Sequence, residues 1–163
     1  ITIPKWEKEG IEVNLFNAIT PINFNKLEHK INFKQKHRIH TKNIVDFTET
    51  EKANWYSHLY LWKKSFTENK TLLIIEEDNR PTKKIPSKFK VFGGLLQISP
   101  QAGAYIIRPI LAEKIFKNAI KQNITYNVDH YIEFSSINNE KKFYANAIDT
   151  QKRGGKTLVE HIK

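Results

Sequence analysis

The chain has 163 residues, of which 39% are hydrophobic and 12% aromatic, so it is long enough to bury a core and is not typical of a disordered protein. It has no cysteine, which excludes disulfides and thiolate metal sites and is typical of a reducing compartment. No apolar run approaches the roughly 18 residues that cross a bilayer, and residues 1–10 do not form a secretory signal. We therefore expect a cytoplasmic protein.

The formal net charge of +10 leaves two interpretations open. A basic protein is attracted to phosphates, whether in nucleic acid, anionic lipid or a nucleotide. The excess, however, comes from 23 Lys against only 4 Arg, and Arg is the better residue for bidentate phosphate recognition. A lysine excess of this kind also follows from an AT-rich coding sequence, so the charge is either functional or compositional.

The first half of the chain is expected to contain one strand and one long helix. Residues 5–10 (KWEKEG) predict the end of a helix that stops at Gly10, and alternation over residues 11–16 predicts a strand. Residues 23–48 are polar and basic without a clean period. Thr48 and Glu51 have the spacing of a capping box, which predicts a helix over about 52–66. Its apolar face is formed by Trp55, Leu59, Trp62 and Phe66.

The second half alternates strands with helices. Residues 71–75 (TLLII) are all apolar apart from Thr71, as in a parallel strand that is buried on both faces. Strands are also predicted within 91–99 and at 104–107, and a helix from Pro109 to about residue 122. The alternation predicts a single α/β domain over 1–163, with a mostly parallel central sheet and flanking helices.

Three consecutive acids follow the apolar run at 71–75. Ligands of open α/β sheets lie beyond the carboxyl ends of strands, and alternation along extended backbone would place Glu76 and Asp78 on one side and Glu77 on the other. Two carboxylates on one side repel each other unless a cation lies between them, and oxygen ligands suit Mg²⁺ or Mn²⁺. The alternative is an exposed acidic turn, which is the more common reason for such a triplet.

Five short segments, in this order, carry a family resemblance. They are FNAITP at 16–21, NWYSHLYLWK at 54–63, LLIIEED at 72–78, GAYII at 103–107 and NVD at 127–129. Together they resemble glycosyltransferase family 25, which includes lipooligosaccharide and collagen galactosyltransferases. The central acid is Glu77 where the family has Asp. The family's opening strand is not recognisable before residue 11, so this chain, which begins at Ile1 rather than Met, either lacks that strand or is a short, divergent member of the family.

The resemblance implies a GT-A-like, Rossmann-like fold and transfer of a sugar from a nucleotide-sugar, with a UDP-sugar as the first expectation. It implies Mn²⁺ or Mg²⁺ bound by Glu76 and Asp78, with His161 as a late ligand. Asp129 and Glu77 are implied as catalytic residues. Asp129 would lie on the acceptor side, as a general base if the reaction inverts.

The same resemblance assigns Ala18, Ser57 and His58 to the nucleotide-sugar site. Ser57 and His58 are neighbours on a helix and cannot face each other, which excludes a Ser-His nucleophile. Taken alone, His58 is more typical of a buried helix histidine with a hydrogen bond. Trp55 and Trp62 are expected in the core, since aromatic residues at helical spacing are usually buried. Asp129 and His130 would point apart if they lie on a strand.

The acceptor is left open between two classes. The resemblance favours lipooligosaccharide or another surface glycan, with peripheral contact to a membrane surface and no transmembrane segment. The basic charge also permits DNA modification, in which a phage-type enzyme glycosylates a modified base. The alternative from another class is a non-catalytic nucleic-acid-binding domain. It would explain the lysines in 25–42 and 83–90, but an acidic triplet would repel phosphate.

Overall fold

The computed structural model describes residues 13–38, 41–76, 79–81, 94–98, 103–135, 148–150 and 159–162. The helices in these ranges are α1 (Glu49–Thr67), α2 (Pro109–Lys121) and α3 (Val128–Ser135), with a 3-10 helix at Pro21–Lys26. The strands are β1 (Val13–Phe16), β2 (Asn32–Phe33), β3 (Lys36–His37), β4 (Ile44–Val45), β5 (Leu72–Glu76), β6 (Asn79–Pro81), β7 (Leu95–Gln97), β8 (Ala104–Ile107), β9 (Asn123–Ile124), β10 (Ile148–Thr150) and β11 (Val159–Ile162).

Helix α1 begins where the predicted capping box places it. The Glu51 N–H donates to Thr48 Oγ1 at 3.2 Å, and the Thr48 N–H donates to Glu51 Oε2 at 2.9 Å. These two bonds satisfy donors that the first turn of a helix otherwise leaves free. The helix therefore begins at Glu49, three residues before the predicted start. It ends at Thr67, and Asn69 follows with a left-handed φ of 51°.

The main sheet has five strands in the order β1-β11-β5-β8-β7, and all of its pairings are antiparallel. The prediction of a mostly parallel sheet is therefore wrong for these strands. An unbroken apolar run indicates that a strand is buried on both faces. It does not indicate whether the strand pairs parallel or antiparallel with its neighbours. Leu73 and Ile75 are buried on one face of β5, as Leu72 and Ile74 are on the other. The mixed helix and strand content agrees with the predicted α/β class.

One hydrophobic cluster joins the sheet to the helices. The α1 residues Trp55, Leu59 and Trp62 are fully buried in it, together with Ile74 of β5 and Tyr105 of β8. Helix α2, which begins at Pro109, adds its predicted apolar face to the same cluster. This packing determines which side of α1 faces the end of β5. None of the helices in the described ranges is long and apolar enough to cross a bilayer.

Two segments have structure that the sequence did not specify. Residues 23–48 contain most of the 3-10 helix and three two-residue strands, of which β2 pairs in parallel with β9. Asp129 and His130 lie in helix α3 rather than on a strand, because the apolar positions Val128 and Ile132 are spaced i, i+4 and both are buried. The predicted helix end at 5–10 and the lysines of 83–90 lie outside the described residues.

Candidate functional site

Glu76 ends β5, as predicted, at the edge where chemistry was expected. Its backbone N–H donates to the Gly103 carbonyl at 2.8 Å, which continues the pairing with the β8 segment. Its carboxylate is mostly buried, with 15% of the side chain exposed. Because Glu76 is two residues beyond Ile74, its side chain lies on the face of the sheet that packs against α1. Glu77 and Asp78 lie outside the described residues.

His58 of α1 lies over this strand end. Its Nε2 atom is 3.6 Å from Glu76 Oε1, and its side chain is fully buried. Its Nδ1 atom is 2.6 Å from the Tyr105 hydroxyl, which also receives the indole N–H of Trp62 at 3.0 Å. Helical spacing brings His58 and Trp62 to the same side of α1, so four side chains from three elements form one buried polar chain.

Asp129 is electrostatically coupled to the same hydroxyl. Burial raises the pKa of Tyr105 well above its ordinary value; the Trp62 hydrogen bond opposes the rise, while the charges of Glu76 and Asp129 add to it. The two carboxylates therefore act on one phenol from separate parts of the chain. Asp129 lies in the first turn of α3 and is half-buried. The structure thus places His58 in contact with both Tyr105 and Glu76, while Asp129 acts on the Tyr105 hydroxyl through its charge.

Ser57 faces another way. Its hydroxyl accepts the Ile19 N–H at 2.9 Å and donates to the Ala53 carbonyl at 2.9 Å, which agrees with the expectation that Ser57 and His58 do not form a pair. The bond to Ile19 anchors the loop after β1 against α1. Ala18 in that loop and Ser57 both line an open pocket of about 200 Å³.

The pocket is largely apolar, with a few polar groups. It is lined by Ala18, Ile19, Thr20, Pro21, Thr50, Ala53, Asn54 and Ser57. The Asn54 Oδ1 atom is buried and receives no hydrogen bond from the part of the chain that the structure describes. A buried acceptor without a donor costs about 1–3 kcal/mol; because Oδ1 is closed to solvent, the carboxamide would have to turn toward the pocket before a ligand could donate to it.

The described residues do not form a complete metal site. Within the described ranges, no group of three His, Asp or Glu residues could hold an ion. Glu76 provides one carboxylate of the type that Mg²⁺ and Mn²⁺ prefer. His161 lies on β11 opposite Ile74 of β5, two residues along from the Glu76 pairing position. Its backbone is therefore near the strand end.

Sequence reasoning missed two members of this site. Tyr105 was recognised only as part of a strand motif, and Asn54 only as part of a helix motif. A tyrosine in an otherwise apolar buried strand is a usable signal, because its hydroxyl requires a partner. Asn54 gives no comparable signal. It lines the pocket together with the loop that contains Ala18, and that loop is distant in sequence.

The sequence model of glycosyltransferase family 25, described as LPS biosynthesis protein, matches residues 3–90, which is just over half of the chain. The match contains Ala18, Ser57, His58 and Glu76. Neither the curated proteins nor the solved structures gave a match. The chain belongs to glycosyltransferase family 25.

Proposed function

We propose that this protein transfers a sugar from a nucleotide-sugar to an acceptor hydroxyl, at the end of β5. The observation that carries the proposal is the buried contact of Tyr105 with His58, and of His58 with Glu76, at the end of β5; the charge of Asp129 also acts on the Tyr105 hydroxyl. The two acids are far apart in sequence, and one of them follows a buried strand. Pairs of carboxylates in unlike environments are the usual means of dividing acid, base and charge-stabilising roles. A GT-A-like arrangement of the donor site is part of this proposal.

The nucleoside end of the donor fits the pocket beside Ala18. A pocket of about 200 Å³ with apolar walls and one or two polar groups suits a nucleobase. The carboxamide of Asn54, which lines the pocket, would turn toward the base and accept one of its N–H groups. Because Ser57 binds the Ile19 N–H, it would hold the Ala18 loop in place. A uracil base, as in a UDP-sugar, meets these requirements.

We propose Mn²⁺ or Mg²⁺ as the cofactor at the strand end. Glu76 and Asp78 would be its ligands, with His161 as a further candidate. The carboxylate of Glu76 has suitable chemistry, and its position at the end of β5 supports the assignment. When bound, such an ion would stabilise the negative charge on the departing nucleoside diphosphate.

Asp129 is the candidate for the acceptor side. It lies half-buried on α3 and comes from a different element from Glu76, so the two could flank a bound sugar. A carboxylate here can accept the proton of the acceptor hydroxyl if the reaction inverts. Glu77 stays a second catalytic candidate from the resemblance.

A surface glycan is the proposed acceptor. The family description names LPS biosynthesis, which supports a saccharide of a lipopolysaccharide or lipooligosaccharide. This acceptor would be used at a membrane surface, where a net charge of +10 would favour contact with anionic lipid.

Matched carboxamide variants test the proposed function. Glu76→Gln and Asp129→Asn should each reduce sugar release from UDP-sugars by about 100-fold or more, the usual scale for a general base or a charge-stabilising group. Glu113→Gln is the control, since Glu113 forms a surface pair with Lys117 on α2. Calorimetric titration with UDP and Mn²⁺ should show weakened binding for Glu76→Gln only. Equal activity in all three variants would refute the proposed centre.

A further inference from the structure

The Tyr105 hydroxyl has a defined hydrogen-bond direction. It is fully buried, and within the described residues it contacts Trp62 Nε1 at 3.0 Å and His58 Nδ1 at 2.6 Å. The indole N–H can only donate, so the hydroxyl oxygen accepts from Trp62. Burial also raises the pKa of Tyr105, which keeps the phenol protonated. Its proton therefore needs an acceptor, and among the described residues His58 Nδ1 is the available one.

This direction fixes the tautomer of His58. If Nδ1 accepts from the phenol, the ring proton of neutral His58 lies on Nε2 and faces Glu76 Oε1, 3.6 Å away. The opposite tautomer would leave the phenol proton without an acceptor. It would also turn the Nε2 lone pair toward a carboxylate. Both effects are unfavourable for buried groups, so the two ends of the chain favour the same tautomer.

We propose that Trp62 and Tyr105 hold His58 as the Nε2–H tautomer, and that His58 in this form is a positioning residue for the Glu76 carboxylate. At 3.6 Å the contact is longer than a hydrogen bond. A small movement of the Glu76 side chain toward His58 would bring the two atoms within hydrogen-bond distance. Nε2 has no hydrogen-bond partner in the described ranges. The N–H of His58 would thus select the orientation in which Glu76 acts. The role in catalysis rests on the proposed function, whereas the tautomer does not.

Nitrogen NMR of the imidazole tests the tautomer directly. In the ¹⁵N-labelled protein, His58 should show a protonated Nε2 and an unprotonated Nδ1. Tyr105→Phe should move the Nδ1 resonance downfield, because the unprotonated nitrogen loses the hydrogen bond from the phenol, while Glu76 keeps the proton on Nε2. Glu76→Gln should move the Nε2 proton resonance upfield, since an amide oxygen is a weaker acceptor than a carboxylate. Protonation at Nδ1 in the parent protein, or an Nε2 proton unaffected by Glu76→Gln, would overturn the inference.

Two histidine variants test the positioning role. Glutamine can place an N–H near the position of Nε2, whereas asparagine can reach only the position of Nδ1. His58→Gln should keep UDP affinity within about threefold of the parent, and His58→Asn should lose about tenfold or more, as expected for a lost hydrogen bond to a charged group. Equal affinities in two folded variants would overturn the positioning role. If Glu76→Gln moves the Nε2 proton but leaves UDP binding unchanged, the inferred contact stands and the proposed donor site fails.

Discussion

Trp62 donates its indole N–H to the Tyr105 hydroxyl oxygen across 3.0 Å and so ties helix α1 to strand β8. Both side chains are fully buried. The ring of Trp62 also lies against Trp55, with centroids 6.1 Å apart in an edge-on arrangement, and against Tyr131 at 6.2 Å. Trp62 is thus a core residue, as its helical spacing predicted, and it also begins the polar chain that reaches Glu76.

Truncation of Trp62 should act through stability. Trp62→Ala should lower the free energy of unfolding by about 3–5 kcal/mol, because it leaves a cavity in the core and the Tyr105 hydroxyl loses its donor. Trp62→Phe should cost less, since most of the packing remains. Urea denaturation followed by circular dichroism measures both variants. Unchanged stability together with lost acceptor binding would show instead that Trp62 is a binding residue.

The ion pair between the buried Lys36 and the half-buried Glu51 should make stability depend on acid pH. Burial alone would raise the pKa of Glu51, but hydrogen bonds from Lys36 and Thr48 outweigh it, and the pKa is lowered from its ordinary value of 4.5. A carboxyl group whose pKa is lower in the folded state stabilises the protein above its unfolded pKa. That contribution is lost as the pH falls from about 4.5 through the lowered value.

Glu51→Gln isolates this charge. Glutamine keeps the capping box with Thr48 but removes the ion pair with Lys36, so stability should fall at neutral pH and decline less between pH 4.5 and pH 2.5. Glu49→Gln is the control, since Glu49 lies in the same turn and pairs with Lys52 at the surface. Thermal unfolding across pH measures the difference. Parallel pH profiles for the parent protein and Glu51→Gln would contradict the assignment.

Filling the pocket beside α1 should block the nucleotide without unfolding the protein. Ala18→Leu adds three carbon atoms at the rim of a pocket of about 200 Å³, so UDP affinity should fall by about tenfold or more. Ile22→Ala is a matched control, because Ile22 is 87% exposed and does not line the pocket. Calorimetric titration with UDP measures both. If Ala18→Leu binds UDP as tightly as Ile22→Ala does, the nucleotide lies elsewhere.

The parts of the fold that were predictable depend on local chemistry. Thr48 and Glu51 form a local capping box that specifies the start of α1, and Pro109 specifies the start of α2. The start of α1 was therefore predicted to within three residues, and that of α2 at the correct residue. Strand direction depends on which strand lies alongside. The partner of β5 on one side is β11, which comes more than 80 residues later, and nothing within residues 71–75 reports that pairing.

The candidate site was also predictable only where it depends on local sequence. The position of Glu76 at the end of a buried strand could be predicted, because a strand ends where apolar residues give way to charged ones. The contacts of His58 could not, since they depend on Tyr105, 47 residues away. The burial of Lys36 was also missed, because a lysine in a basic segment gives no sign that a glutamate of the next helix will cover it.

The net charge can be tested through its lysines. If DNA is the acceptor, the phosphate contacts would come from lysines within 25–42 and 83–90, such as Lys34, Lys36, Lys42, Lys83 and Lys84. Lys36 must be removed from that set, since it is only 3% exposed and pairs with Glu51. Lys34 and Lys42 are exposed, while Lys83 and Lys84 lie outside the described residues.

We expect a glycan acceptor and weak, non-specific DNA binding. Each true phosphate contact contributes about −0.9 to the slope of log affinity against log salt. Lys34→Gln and Lys42→Gln should therefore leave sugar transfer to a glycan nearly unchanged. Neither substitution should change the slope by the roughly 0.9 expected for one phosphate contact. Transfer assays with lipooligosaccharide and with DNA containing a hydroxymethylated base, followed across salt, measure both quantities. Transfer to that DNA, with the slope reduced by about 0.9 for each substitution, would identify DNA as the acceptor. Tight duplex binding without any transfer would instead favour a non-catalytic nucleic-acid-binding role.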